Sequence, residues 1–378
     1  MVKNLFALIA DYIREIDKLL IIFVFAASAF GCLAVMSTTA YTESLRQFFT
    51  QFIAMIGGLA IAVFVSNIDY KTMQKWWFIV AVVGVVPVLL TFFIGFAPAG
   101  TDDKAWLLLP GNISFQPAEL LKICFVITFS AHLVKVKATI NKLKTLIPIV
   151  LHGAFPVILI HFQGDDGTAL VFAIMFVCML FSAGLSLRYF AVAGGLAVLA
   201  APFLYFFVLN EDQKARILYL FDLESNLQGI GYQQWMGRIA LANGGIFGQG
   251  LFGGSLTQSQ GVPKGYNDFI FVCIGEELGI LGCLTVIILL SAICFRCVRI
   301  ARTAADDSGM YIAVGIFAMI FAQSVINLGM CMSLLPVIGI TLPFFSAGGS
   351  SLLCLMCGIG VVLSVYKHRN SGLIYLHK

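Results

Sequence analysis

Apolar residues run through this chain in long blocks separated by short polar interruptions, which is the pattern of helices that are hydrophobic on every side. Ten blocks are long enough to cross a hydrocarbon layer, which takes about 20 residues as helix. They are 18–38, 49–67, 76–97, 118–134, 145–162, 168–185, 188–208, 269–293, 310–333 and 345–366. The sixth and seventh meet at a very short turn around Arg188. The first residues differ. Leu5, Phe6, Ile9, Ile13 and Ile16 recur at helical spacing, with Asp11, Arg14, Glu15 and Asp17 between them. That spacing predicts a short helix lying on the membrane surface. No cleavable signal peptide is expected, because the first apolar block follows a charged start and has no small-residue cleavage site.

Composition agrees with the pattern. Of 378 residues, 60% are hydrophobic and 11% charged, against about 25% charged in soluble domains. The mean hydropathy is +0.98. A soluble protein of this length could not hide so much apolar side chain. The expected fold is all-α: one polytopic membrane domain over 1–378, with a cytoplasmic or interfacial segment 1–17 and a large extracytoplasmic loop 209–268. The net charge of +4 is small and the basic residues form no single cluster, which argues against nucleic acid as a partner.

The basic residues also orient the helices. One set of alternating connections holds Lys71, Lys75, Lys135, Lys137, Lys142, Lys144, Arg296, Arg299, Arg302 and Lys367, among others. The opposite set holds only Arg46, Lys104, Lys214, Arg216, Arg238 and Lys264. The excess marks the cytoplasmic side, so both termini are expected there. The 135–144 stretch is the clearest cytoplasmic marker and suits contact with anionic lipid. The 209–268 connection, on the other side, is far longer than ordinary loops. It is too apolar for a disordered linker, and Gln233 to Ala242 is expected to form a short amphipathic helix.

The ten cysteines fall almost entirely inside apolar blocks. Cys294/Cys297 and Cys354/Cys357 have the spacing of a redox or metal pair. The plainer expectation is buried helical cysteine acting as a small apolar side chain. The five histidines show no metal-ligand spacing. No phosphate-binding, zinc-protease or hydrolase motif is present.

Four segments carry polar groups where a membrane makes them costly. In the first, Lys104 and Trp106 precede Ser114-Phe-Gln116-Pro-Ala-Glu119-Leu-Leu-Lys122. Glu119 and Lys122 are three apart and share a helix face, as a functional pair or as an ion pair that fixes packing. In the second, Asp165-Asp166-Gly-Thr168 could bind a cation or simply cap the next helix. In the third, Asp268 ends the long loop and is followed by Glu276-Glu277-Leu-Gly279. Asp268 could be an ordinary cap, yet apolar surroundings could raise its pKa enough to make it a base. In the fourth, Asn327, Pro336, Pro343, Ser346, Ser350 and their glycines interrupt the apolar pattern. Such breaks are tolerated where backbone lines a cavity.

Together these segments resemble the SEDS family, the shape, elongation, division and sporulation proteins typified by RodA, FtsW and SpoVE. The resemblance rests on SFQPAELLK (114–122), GDDGTA (164–169), GYQQWMGRIALANGGIFGQG (231–250), YNDFIFVCIGEELG (266–279) and LLPVIGITLPFFSAGGSS (334–351), five motifs in order over nearly the whole chain. It implies a ten-span peptidoglycan glycosyltransferase that polymerises lipid II on the outer face of the bacterial cell membrane, working with a class B penicillin-binding protein. It implies that Asp268 is the essential loop carboxylate, and that Glu119, Lys122 and Asp165 are functional. Six residues at four places depart from the family pattern. Tyr266-Asn267 replaces His-Thr, Met236-Gly237 replaces Gln-Ser, Gly164 replaces Pro, and Ala347 replaces Tyr.

On this resemblance Asp268 would deprotonate the acceptor hydroxyl, and a β-1,4 bond would form with inversion as undecaprenyl pyrophosphate leaves. The leaving anion needs cations, and Lys122, Arg216, Arg238, Lys104 and Lys264 are the candidates. Gln116, Ser346 and Ser350 are further substrate-binding candidates. A divalent cation, Mg or Mn, could bridge Asp165 or Glu119 to the pyrophosphate, although no cofactor is required by the sequence. The lipid tails would lie in grooves between helices. Two other functions stay open: a lipid II flippase, or a non-catalytic scaffold for a transpeptidase.

Overall fold

The computed structural model describes residues 14–42, 45–97, 103–110, 113–221 and 231–370. The interfacial helix expected over 1–17 falls almost wholly outside them. The fold is helical, with one small hairpin. Helix α1 (Lys18–Thr38) starts at Asp17, whose carboxylate accepts from the Leu20 amide at 2.9 Å and from Arg296 Nε at 3.2 Å. Then come α2 (Arg46–Ser66), the short α3 (Tyr70–Lys75) and α4 (Trp77–Ile94). The hairpin pairs β1 (Leu107–Leu109) with β2 (Ile113–Phe115), Leu108 opposite Ser114. It leads into α5 (Pro117–Val136), which opens with proline, a residue suited to a helix's first turn.

Helix α6 (Leu143–His161) and α7 (Asp166–Ser182) follow, then α8 (Leu187–Phe203), extended by a π-helical turn over Leu204–Val208. The long loop holds α9 (Glu211–Leu218), α10 (Tyr232–Gly244) and α11 (Ser255–Gln258). Helices α12 (Ile270–Arg302), α13 (Asp307–Cys331) and α14 (Gly349–Lys367) complete the bundle. Helix α10 is the amphipathic helix expected near Gln233.

All ten expected spans are helices. Eight of them (α1, α2, α4, α6, α8, α12, α13 and α14) are long and apolar enough to cross a membrane on those grounds alone. The other two are α7, which has 17 residues, and α5, whose first turns carry Glu119 and Lys122. Helices α13 and α14 are the bundle's centre, each with 72% of its apolar window buried. Small residues let backbones meet there. A Cβ on Gly360 would stand 2.8 Å from the Ala62 carbonyl of α2, and one on Gly31 of α1 2.4 Å from the Phe344 carbonyl.

Helix α12 is broken at Gly279, whose φ of 65° is open to glycine and costly for other residues. The break frees the carbonyls of Glu276 and Glu277, and a buried free carbonyl needs a donor. The glycine-rich return of the long loop supplies it: the Gln249 amide donates to Glu276 O at 3.0 Å and the Gly250 amide to Glu277 O at 2.9 Å. Gly244 and Gly248 thus serve close backbone approach to α12. A Cβ on Gly248 would lie 2.1 Å from the Glu277 carbonyl oxygen. The two glutamate side chains hold the same loop. Glu276 accepts from the amides of Leu256 (2.9 Å) and Thr257 (2.7 Å), and Glu277 from Ser37 Oγ and Gln258 Nε2.

The ten cysteines are all free, and both CxxC pairs lie inside helices, as expected of apolar packing residues. The fold does bring two histidines together: His132 of α5 and His152 of α6 are 3.1 Å apart through their Nδ1 atoms. No third metal-capable side chain joins them among the described residues.

Candidate active site

The residues that bear charge meet at the end of the bundle where the long loop returns. On α5, Lys122 is fully buried and donates to Glu119 Oε1 at 2.7 Å. One turn earlier, Gln116 donates from Nε2 to Asp165 Oδ2 at 2.8 Å. The other oxygen of Asp165 caps α7, accepting from the Thr168 amide at 2.9 Å. Asp165 is therefore both the helix cap and a member of the polar cluster. Its burial raises its pKa, the bonds from Thr168 and the charge of Lys122 lower it, and Glu119 raises it again.

Asp268 ends the loop just before α12 and is buried. Burial lifts its carboxyl to about 6 from an ordinary 3.8, with Lys264 pulling down and Asp165 pushing up. Asp268 thus feels Asp165, which in turn feels Glu119 and Lys122. Among the described residues none donates a hydrogen bond to the Asp268 carboxylate, so its oxygens are available to a ligand.

Its backbone, by contrast, is held from several sides. Asn327 of α13 is fully buried and donates from Nδ2 both to Asp268 O at 2.8 Å and to Ile340 O at 2.7 Å. Cys331 Sγ also points at Asp268 O, at 3.4 Å. Ser346 donates to Asn267 O at 2.7 Å and accepts from the Leu342 amide. The Ala347 amide donates to Tyr266 O at 2.9 Å. Gln51 of α2 secures this stretch, donating to Ser346 O and accepting from the Gly348 amide. The non-helical stretch 332–348 therefore lies against Asp268. A Cβ on Gly339, itself at φ 72°, would come within 3.9 Å of Asp268 Oδ2.

The expected site residues divide accordingly. Glu119, Lys122, Gln116, Asp165 and Asp268 come together. Lys264 is exposed yet within electrostatic reach of Asp268. Arg216 of α9 donates to Val337 O at 2.8 Å, which sets it at the rim of the 332–348 stretch. Lys104 and Arg238 are exposed. Ser346 acts on the backbone of the site, and Ser350 is buried in the first turn of α14. Sequence reading noticed Asn327 only as part of an interrupted stretch and missed Gln51 altogether. The signal for both was a carboxamide inside an apolar block, a costly placement unless it is bonded.

Around the rim, Asp166 accepts from Gln213 of α9 at 2.7 Å and meets His161 Nδ1 at 2.5 Å. Where the C-terminal end of α8 meets α9, an apolar groove of about 570 Å³ is lined by Val198, Ala201, Pro202, Leu204, Tyr205, Leu209 and Ile217. Ile217 adjoins Arg216 in the chain.

These features define a polytopic helical membrane protein with a buried carboxylate site at one face. The chain belongs to the FtsW/RodA/SpoVE family of cell cycle proteins, whose sequence profile matches residues 17–371. It is 31% identical over 355 residues to the peptidoglycan glycosyltransferase MrdB of Escherichia coli K12, covering 94% of each chain. It is 32% identical over 370 residues to the probable peptidoglycan glycosyltransferase FtsW of Bacillus subtilis, covering 93% of this chain and 91% of that one. The fold matches the rod shape determining protein RodA of Thermus thermophilus with a TM-score of 0.69 at 24% identity, over 94% of this chain and 97% of that one. It also matches a chain of a peptidoglycan synthase complex, described for its coordination of polymerization and crosslinking, with a TM-score of 0.78 at 24% identity, over 94% and 98%.

Proposed function

We propose that this chain is a peptidoglycan glycosyltransferase that polymerises lipid II on the outer face of the bacterial cell membrane, with both termini in the cytoplasm. The observation that carries the reading is Asp268: a buried carboxylate, pinned through its backbone, whose oxygens have no protein donor among the described residues. A pKa of about 6 leaves it ionised yet still proton-seeking near neutral pH.

Asp268 removes the proton from the 4-hydroxyl of the acceptor sugar as that oxygen attacks the anomeric carbon of the donor. The bond from that carbon to the pyrophosphate breaks. The configuration inverts, a β-1,4 linkage forms, and undecaprenyl pyrophosphate leaves with the electron pair. The proton passes from Asp268 to water. Lys122, held by Glu119, is the buried cation nearest the cluster, and Arg216 and Lys264 are cations at its rim. Arg238 and Lys104 supply positive charge farther out on the surface. Among the described residues no set of three or more metal-capable side chains converges. Asp165 or Glu119 would be the carboxylate to hold a Mg or Mn ion, which would supply further positive charge to the leaving pyrophosphate. The apolar groove beside Arg216 suits a polyprenyl tail with its charged head at the rim. A class B penicillin-binding protein is the partner that would crosslink the product.

Purified protein in liposomes with labelled lipid II tests the assignment. The parent chain should make glycan polymer, and Asp268→Asn and Asp268→Ala should make none while staying folded. Polymer from either variant removes Asp268 as the base. Transport of monomer without polymer would make the chain a flippase.

A further inference from the structure

A second cavity, of about 240 Å³, opens behind the turn that carries Asp268. Asp268 does not line it, but the turn before Asp268 does. Its polar wall is built from Thr38 and Tyr41 at the outer end of α1, and from Thr257, Gln260, Lys264 and Tyr266 of the long loop. Thr38 and Thr257 spend their hydroxyls on Val35 O and on Glu276. The other four are different. The side chains of Tyr41, Gln260, Lys264 and Tyr266 make no hydrogen bond or ion pair with any described residue. Convergent polar groups without protein partners, around one concavity, are what a ligand site needs.

The backbone adds an independent observation. Gln260 (φ 59°) and Lys264 (φ 54°) both hold the left-handed conformation that non-glycine residues rarely adopt. The two sit on one short stretch and line one cavity. Backbone strain of this kind collects where structure serves a ligand.

The chemistry of the wall limits the occupant. No lining residue is acidic, and Lys264 is the single cation. Two phenols and a carboxamide can both donate and accept. An anion flanked by amides or hydroxyls fits that set. The volume is below the 300 to 1,000 Å³ typical of sites for drug-sized ligands. It therefore suits one part of a substrate rather than a whole disaccharide.

We propose that this cavity is a subsite for the carboxylate-bearing peptide of the lipid-linked sugar substrate, with Lys264 on the carboxylate and Tyr41, Tyr266 and Gln260 on its amides. This rests on the lipid II reading above. The same anion chemistry could come from the pyrophosphate, so the test varies the peptide and leaves the pyrophosphate intact.

The full-length chain in liposomes is assayed with lipid II whose peptide carboxylates are free, and with lipid II whose carboxylates are amidated. Loss of one charge-assisted contact should raise KM about tenfold. Three results are expected together. The parent shows that rise with the amidated lipid. Lys264→Ala shows it with the acidic lipid and loses the parent's preference between the two lipids. Lys264→Arg retains most of the preference. An equal penalty for Lys264→Ala with both lipids assigns the anion to the pyrophosphate and overturns the proposal, as does an unchanged KM throughout.

Gln260→Ala and Tyr41→Phe each remove one polar group, keep the charge, and should raise KM severalfold, so the test survives if Lys264→Ala misfolds. A titration of detergent-solubilised protein with the soluble disaccharide-peptide is independent of turnover. Protein that binds it but makes no polymer defeats the polymerase reading alone. Protein that polymerises but binds it equally well with and without Lys264 defeats the subsite alone.

Discussion

Asp268 is kept in surroundings that oppose its charge, and that opposition has two measurable signatures. Its folded pKa of about 6 exceeds an ordinary 3.8, so the folded chain holds this proton more tightly than the unfolded chain. The stability from that proton is complete below about pH 4 and is lost as pH rises through 6, a difference on the order of 3 kcal/mol. Asp268→Asn should therefore melt higher than the parent at pH 8, the gap closing toward pH 4, in thermal unfolding monitored across pH. Polymerisation runs the other way. In the proposed role as base Asp268 must be ionised, so the parent's rate should fall as pH drops through about 6, and Asp268→Asn should have no rate at any pH. Asn327 acts one step removed. Asn327→Leu leaves the buried Ile340 carbonyl unpaired, at about 1–3 kcal/mol, and leaves Asp268 O with the weak Cys331 thiol donor. A positioning role predicts a lower kcat and a displaced acidic limb of the pH profile; an unmoved limb would make Asn327 a packing residue only. Asp268, Glu119, Lys122 and Asp165 were legible in the sequence because an ionisable group at the end of an apolar block needs a reason. Asn327 was not, because its partner lies 59 residues away and no local pattern records such a distance.

At the level of elements, α5 and α12 depart most from a plain membrane span. Helix α5 tolerates its charges because they neutralise one another. Removing one partner of a buried pair strands the other, which costs about 3–5 kcal/mol. Lys122→Met should destabilise the chain by that order, and Glu119→Gln with Lys122→Met should recover most of the melting temperature without recovering polymerisation. Recovery of both would reduce the pair to packing. Helix α12 depends on Gly279. A Cβ there would stand 2.4 Å from the Ile246 carbonyl, in a backbone conformation that costs other residues about 1–2 kcal/mol. Gly279→Ala should loosen the loop from Glu276 and Glu277, seen as faster proteolysis between 245 and 260. The sequence read these as a helix and a glycine-rich loop. It could not show that the glycines fill the gap left by the helix's own break, because that relation exists only after the loop has folded back.

For the molecule as a whole, hydrophobic blocks and basic loops were enough to anticipate ten helices, since a bilayer leaves the backbone few other choices. They could not tell which helices would be central and which peripheral. The most buried, α13 and α14, and the least, α8, are close in mean hydropathy, 1.9, 1.9 and 2.1. Helix α8 has no fully buried residue. Its N-terminal end is tied by Tyr189 to Asn141 O at 2.9 Å and by the Ser186 amide to Asn141 Oδ1 at 2.7 Å. Filling the groove at its C-terminal end should therefore impede lipid more than it disturbs the fold. Ala201→Trp should raise KM for long-chain lipid II by about tenfold, and much less for a short-chain analogue, in the liposome assay.

The bonds that set the Asp268 turn also impose an order on the chain's birth. Asn267 waits for Ser346, 79 residues later, and the Glu277 side chain reaches back 240 residues to Ser37. A nascent chain released before residue 332 would carry every charged residue of the candidate site and still lack the stretch that holds Tyr266 and Asn267. Synthesis must therefore pass Ser346 before the turn that carries Asp268 can be set, so a copy that stops short of it is expected to join no sugars.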